Sequence, residues 1–272
     1  MFLNGKKIAK TILQGLKTTI KKQKTKPCLA VILIGEDPGS IVYVRLKEKA
    51  AREIGIKFVR FDLENNVSQK KVLDLIQKLN SNSHIHGIIV QFPLSKHLNS
   101  NLIAQSILPE KDVDGFGKQS YFSSPAHLAI LKLIQAAKGK KPTYRQARKT
   151  AVIISKNPIF AQPLAELLIR QKIKSQCVYL VNGKIKNSTA VKKADIVVVA
   201  IGKPHFIKPT IIKKNAIIID VGYNRVNNKP AGDVDPKVSL KASYFSPVPG
   251  GIGPLSVAFL LKNTYLSAKF NN

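Results

Sequence analysis

The hydrophobic pattern changes period along the chain. Over residues 5–24, Ile8, Ile12, Leu13, Leu16 and Ile20 recur at helical spacing with lysines on the other face, which predicts an opening amphipathic helix. Cys28–Ile34 is an unbroken apolar run stopped by Gly35, the pattern of a strand buried on both faces of a parallel sheet. The spacing then predicts a helix over about 40–54, a strand over 57–63, a helix over 69–79 and a strand over 87–91. Such βαβαβ alternation argues for a parallel sheet covered by helices.

After a loop and a helix at about 128–137, a basic polar stretch, Lys138–Arg145, marks a junction. A second α/β series follows, with strands expected at 151–154, 177–181, 195–200 and 216–220. Its size suits a dinucleotide-binding unit. A last helix, about 254–268, carries Val257, Leu260, Leu261 and Leu266 and is expected to return to the first lobe. The expected fold is α/β, with two three-layer lobes built on parallel sheets and an active-site cleft between them. The first lobe is residues 1–120, with helix 254–270 packing back on it. The second, Rossmann-like lobe is residues 121–253.

Composition narrows the class. No run approaches the roughly 18–20 apolar residues of a membrane span, and the N-terminus lacks the apolar core of a signal peptide. Cys28 and Cys177 are distant and have no metal-ligand spacing, which points to structural thiols in a reducing cytoplasm. The five histidines form no ligand set, so no metal is expected. A net charge of +30 raises the question of nucleic acid. Only seven of the 45 basic residues are arginine, however, and the lysines run along the whole chain. Readers of phosphate and base edges favour the arginine fork, so a solvated lysine surface is the better reading. The same field favours an anionic small ligand.

Several residues carry candidate chemistry. Tyr43 and Lys47 are four apart on a predicted helix and share a face. A lysine above an aromatic ring can hold a planar ligand, and a desolvated amine can act as a base near neutral pH. Alternatively Lys47 is one more surface lysine among 38. Gln91 ends an apolar strand, where a polar side chain either faces a ligand crevice or satisfies strand-end backbone. Asp112 and Asp114 flank Val113 ahead of Gly115. They offer a carboxylate to the ring nitrogens of a pterin or purine, or they are turn residues. Pro247–Pro254 holds three glycines and three prolines, a rigid loop that lets a flat ligand approach the backbone.

Taken together, these motifs resemble the bifunctional methylenetetrahydrofolate dehydrogenase/cyclohydrolase family over nearly the whole length. The resemblance rests on Tyr43 and Lys47, on Val90-Gln91-Phe92-Pro93-Leu94, and on Pro109-Glu110-Lys111-Asp112-Val113-Asp114-Gly115. Asp220-Val221-Gly222-Tyr223-Asn224-Arg225 and the loop Pro247–Pro254 complete it. It implies Lys47, Gln91 and Asp114 as catalytic residues, and Tyr43, Pro249, Gly250, Gly251 and Pro254 as substrate-binding residues. It implies a tetrahydrofolate derivative as substrate, NADP or else NAD as cofactor, and a cytoplasmic homodimer that binds neither membrane nor nucleic acid. The implied chemistry is hydride transfer from methylenetetrahydrofolate to NADP, then hydrolysis of the methenyl form to formyltetrahydrofolate.

The departures lie in the cofactor half. The family's Gly-Arg-Ser phosphate loop reads Ser155-Lys156-Asn157, its Cys-His-Ser-like segment reads Val181-Asn182-Gly183, and the Ile of its Gly-Ile-Asn-Arg motif is Tyr223. Ser155, Lys156, Asn157, Gly183 and Tyr223 are the positions expected to meet the cofactor, with Lys156 leaning toward the 2′-phosphate of NADP. The family's Pro-Cys-Thr-Pro-x-Gly segment reads Phe122-Ser123-Ser124-Pro125-Ala126-His127, and the connection after Gly115 is short. Two other readings stay open: a cyclohydrolase with weakened or lost dehydrogenase activity, and a non-catalytic folate-binding or basic interaction protein.

Overall fold

The computed structural model describes residues 1–22, 26–138, 149–227 and 229–270, so the expected junction from Gly139 to Arg145 lies outside the described residues. In chain order the elements begin α1 (Gly5–Lys21), β1 (Cys28–Ile34), α2 (Pro38–Ile54), β2 (Lys57–Leu63), α3 (Gln69–Ser81), β3 (Gly87–Val90) and α4 (Ser100–Gln105). Next come α5 (Pro125–Lys138), β4 (Thr150–Ser155), α6 (Pro158–Arg170), β5 (Lys174–Val178), β6 (Leu180–Val181), β7 (Lys184–Ile185), α7 (Ser188–Lys193) and β8 (Ile196–Ala200). The chain closes with β9 (Ile217–Asp220), β10 (Asn224–Val226), β11 (Lys229–Ala231), β12 (Tyr244–Ser246) and α8 (Ile252–Phe270). They form two compact units, Ala9–Pro125 with Ser256–Asn272, and Met1–Ile8 with Ala126–Leu255.

In the first unit, β2, β1 and β3 form a parallel sheet with β1 at its centre. All seven residues of β1 are buried. Alternate β1 side chains serve opposite faces, as the period-2 geometry of a strand requires. Leu29, Val31 and Leu33 pack with Leu16 and Ile20 of α1, Val44 and Ala51 of α2, and Val257, Leu260 and Leu261 of α8. Cys28, Ala30, Ile32 and Ile34 pack with Val72, Ile76 and Leu79 of α3 and Ile103 of α4. The unit is therefore a three-layer sandwich. Helix α2 starts earlier than its apolar pattern suggests, because the Asp37 side chain accepts from the Ser40 N–H (2.7 Å) and Pro38 occupies the first turn.

In the second unit five parallel strands run β12-β9-β8-β4-β5. Numbered by their order in the chain, these strands lie 2-1-3-4-5, a doubly wound arrangement whose order reverses between β4 and β8. Two features differ from the sequence pattern. The edge strand is Lys174–Val178 rather than 177–181, because only one side of an edge strand is paired and its burial alternates. The more apolar Leu180–Val181 instead forms one arm of a small hairpin. Residues 1–8 group with this second unit rather than the first. Leu3 donates to Phe245 O (2.8 Å), Phe245 donates to Met1 O (3.0 Å), and the Phe2 and Phe245 rings lie 6.1 Å apart. No helix is long and apolar enough to cross a membrane, among the described residues.

Candidate active site

Helix α2 places Lys47 one turn beyond Tyr43, and both side chains are partly buried. Strand β3 delivers Gln91 at its carboxyl end, where the Gln91 N–H donates to Ile32 O of the central strand (2.9 Å). Lys47 Nζ then donates to Gln91 Oε1 at 2.8 Å. Gln91 Nε2 donates to Phe92 O at 2.6 Å, which fixes which end of the amide faces the lysine. Gln91 thus satisfies strand-end backbone and also presents an acceptor to Lys47.

The two aspartates have different surroundings. Asp112 is the turn residue; its carboxylate accepts from the Gly115 N–H (3.0 Å) and the Gly117 N–H (2.8 Å). Asp114 is the residue that interacts electrostatically with Lys47. Burial pulls the Lys47 ammonium below the usual lysine range, against the attraction of Asp114. Burial pushes the Asp114 carboxyl above the usual carboxylate range; Lys47 opposes that shift and Asp112 adds to it. Both shifts favour the uncharged forms.

Three supports for Asp114 were not found from sequence. Lys111 is buried, and its Nζ donates to Leu79 O (3.2 Å), Asn80 O (2.6 Å) and Asn82 O (2.8 Å) at the end of α3. This ties the loop to carbonyls that a helix terminus leaves open. Asn263 of α8 donates from Nδ2 to Val113 O (2.9 Å) and Ser123 O (3.1 Å), clamping the segment on both sides of Asp114. Ser267 Oγ, one turn on, donates to Glu110 O (2.6 Å). The only sequence signal was a buried-helix pattern interrupted by polar Asn263, Thr264 and Ser267.

In the second unit, Pro249, Gly250 and Gly251 follow β12, and Pro254 lies in the first turn of α8. Lys6 N–H donates to Gly250 O at 3.1 Å. The turn between β4 and α6 holds Ser155, Lys156 and Asn157. Ser155 is buried, and its Oγ accepts from the Asn157 N–H (3.0 Å). Asn157 caps α6, its Oδ1 accepting from the Ile159 N–H (2.9 Å), and Pro158 carries no N–H. The Asn157 and Ile159 N–H groups, of the kind a dinucleotide loop turns toward phosphate, are thus used within the turn itself. Lys156 is exposed beside it, Gly183 sits at the tip of the β6–β7 hairpin, and Tyr223 is exposed before β10.

Two buried carboxylates organise the loops at the carboxyl ends of β8 and β9. Asp233 accepts from the N–H groups of Ile201 (2.6 Å), Gly202 (3.0 Å) and Lys203 (2.8 Å), and from Asn224 Nδ2 (2.9 Å). Asp220 accepts from Gly222, Asp233 and Val234 N–H groups at 3.0–3.1 Å. Gly222 is required by this close approach, since a Cβ there would lie 2.2 Å from the Asp233 carboxyl carbon. Burial pushes Asp220 up to about 7, against the hydrogen bonds of Val234 and Asp233, with the Asp233 charge adding to the rise.

Comparison with known proteins fits this geometry. Residues 3–114 match the model of the tetrahydrofolate dehydrogenase/cyclohydrolase catalytic domain, and residues 125–272 match that of the NAD(P)-binding domain of the same family. The bifunctional protein FolD of Campylobacter hominis is 40% identical over 282 residues, covering 98% of this chain and 96% of the relative. That of Acetivibrio thermocellus is 40% identical over 284 residues, with 98% and 96% covered. The crystal structure of FolD methylenetetrahydrofolate dehydrogenase/cyclohydrolase from Campylobacter jejuni is 36% identical and covers 100% of this chain and 99% of its own, with a TM-score of 0.90. The Trypanosoma brucei enzyme complexed with NADP cofactor and inhibitor is 28% identical, covers 99% and 97%, and has a TM-score of 0.89. The chain belongs to the tetrahydrofolate dehydrogenase/cyclohydrolase family.

Proposed function

We propose that this chain interconverts folate one-carbon units in two steps: oxidation of methylenetetrahydrofolate to the methenyl form, and hydrolysis of the methenyl form to formyltetrahydrofolate. The observation that carries the reading is the Lys47–Gln91 hydrogen bond at 2.8 Å, with Asp114 electrostatically coupled to the same lysine. When bound, NADP supplies the acceptor for the hydride that leaves the one-carbon bridge. Tyr43 stacks on the aminobenzoyl ring one helical turn from Lys47. Asp114 anchors the pterin and so fixes the reacting carbon. In the hydrolysis, water adds to the methenyl carbon, a carbon–nitrogen bond opens, and one proton is released. Lys47, depressed by burial and oriented by Gln91, takes the proton of the attacking water. Pro249, Gly250, Gly251 and Pro254 are the remaining substrate-binding positions of this reading.

The self-satisfied Ser155–Asn157 turn favours a second reading, a cyclohydrolase whose dehydrogenase step is weak. Its donor set still fits a dinucleotide through side-chain charge, with Lys156 beside the turn, rather than through main-chain N–H groups. In the cell the proposed setting is a cytoplasmic homodimer supplying one-carbon units for purine synthesis, without a nucleic-acid partner. The dispersed lysines and the two free thiols, Cys28 and Cys177, support that setting. The deciding assay gives purified protein methylenetetrahydrofolate with NADP, and with NAD in parallel, and separately gives it the methenyl form. Reduction of NADP together with methenyl hydrolysis is expected. Hydrolysis alone selects the second reading, and turnover of neither substrate rejects both.

A further inference from the structure

The doubly wound order of the second unit puts its ligand crevice at the carboxyl ends of β4 and β8, where the strand order reverses. Two loops flank that point, Ser155–Asn157 and Ile201–Lys203. Main-chain donors of both are committed: the Asn157 N–H to Ser155 Oγ in the first, and the Ile201, Gly202 and Lys203 N–H groups to Asp233 in the second. An anionic ligand there gains from side-chain cations.

One such cation is placed by the fold. Lys203 follows β8, yet its Nζ lies beside Gly183, in the turn of the hairpin that follows β5; a Cβ on Gly183 would be 3.3 Å from it. β4 lies between β5 and β8 in the sheet, so this approach joins segments that follow the two neighbours of β4. The ammonium is also 5.4 Å from the centre of the Phe206 ring, a cation–π distance. Its main chain is pinned by Asp233. Among the described residues no carboxylate forms a salt bridge with it.

The end of the second strand of such a unit is where the adenosine ribose is read. An acid there binds the 2′-hydroxyl of NAD, and a cation accommodates the 2′-phosphate of NADP. From Val178 to Ala194 this chain has no Asp or Glu, and the missing side chain of Gly183 lets the Lys203 ammonium come close to the turn. We propose that Lys203 is the residue that selects the 2′-phosphorylated dinucleotide, by placing its ammonium beside the Asn182–Gly183 turn. This rests on the dehydrogenase half of the proposed function, and it assigns the selection to a residue outside the phosphate turn.

The test is calorimetric titration of the whole protein with adenosine 2′,5′-bisphosphate and with adenosine 5′-monophosphate, which needs no turnover. The wild type should prefer the bisphosphate at least tenfold. Lys203→Ala should lose most of that preference while keeping its affinity for the monophosphate, and Lys203→Arg should restore it. Because the contact is with a point charge, raising the salt should erode the preference in the wild type and leave the alanine variant unmoved. Equal weakening of both nucleotides, or an undiminished preference in Lys203→Ala, would overturn the assignment alone. A wild type that binds neither nucleotide, nor NADP, would overturn the dehydrogenase reading and this assignment with it.

Discussion

Lys47 and Gln91, 44 positions apart in sequence, are joined by a 2.8 Å hydrogen bond from the lysine Nζ to the glutamine Oε1. The acceptor is a neutral amide, so it orients the amine without paying it a counter-charge. That distinction is testable. Gln91→Glu would place a carboxylate against Lys47 and raise its pKa, opposing the depression caused by burial. The alkaline shift should displace the pH–rate profile of methenyl hydrolysis to higher pH and lower the rate near neutrality. Lys47→Ala should abolish hydrolysis while folate binding, followed by fluorescence or calorimetry, stays largely intact. An unchanged hydrolysis rate in Lys47→Ala would remove Lys47 from the mechanism.

A second prediction concerns the clamp on Asp114. Asn263→Ala removes both Nδ2 hydrogen bonds and leaves the Val113 and Ser123 carbonyls without that donor. The expected loss of stability is about 1–3 kcal/mol, read from denaturant unfolding. If Asn263 positions Asp114, the folded variant should also show a raised KM for folate and an altered pH profile, with Asn263→Ser recovering part of each. A variant that loses stability and keeps the wild-type profile would make Asn263 a structural residue only.

Much of this organisation was legible in the chain. The βαβαβ alternation of the first unit emerges because β1 is buried on both faces and its neighbouring helices are amphipathic, so each element carries its own period. Lys47, Gln91 and Asp114 were readable as candidates, since each sits at a helix face, a strand end or a turn that limits where it can point. The edge strand was misplaced because half of its pairing is missing and apolarity no longer marks it. Asp233 escaped notice as an organiser for another reason. Three of its four partners are main-chain N–H groups some 30 residues away, and main-chain donors leave no trace in side-chain identity. The same holds for Lys111, whose acceptors are all carbonyls.

The buried Asp220 should make the protein less stable as the pH rises. Its folded pKa, about 7, lies above the ordinary value of 3.8, so the unfolded chain releases this proton first. Stability is complete below about pH 4 on this account and declines until the pH passes 7, by about 4 kcal/mol in all. Asp220→Asn cannot ionise. It should flatten the decline of the unfolding midpoint between pH 5 and 8, although its own stability is lower because an amide cannot accept all three N–H bonds. A decline of the same steepness in the variant would assign it to other groups.

His127 should act in the opposite direction. It is buried at the start of α5 with its ring 4.9 Å from that of Phe160, and its Nε2 has no hydrogen-bond partner among the described residues. Burial lowers its pKa from 6.5 to about 4, against a backbone hydrogen bond at Phe160. The native state therefore resists a proton that the unfolded chain accepts. The resulting stability is present above pH 6.5 and lost as the pH falls through 4, by about 3 kcal/mol. His127→Phe keeps an aromatic ring against Phe160 and removes both the unpaired nitrogen and the proton acceptor. At pH 7 the midpoint should move little, because losing the unpaired nitrogen is offset by losing the hydrogen bond at Phe160. The variant should raise the midpoint much more at pH 5, because only the wild type is then losing stability to protonation. If the two proteins keep a constant difference from pH 7 down to pH 4, His127 is not the acid-sensitive group, and the loss of stability in acid must come from carboxylates elsewhere in the fold.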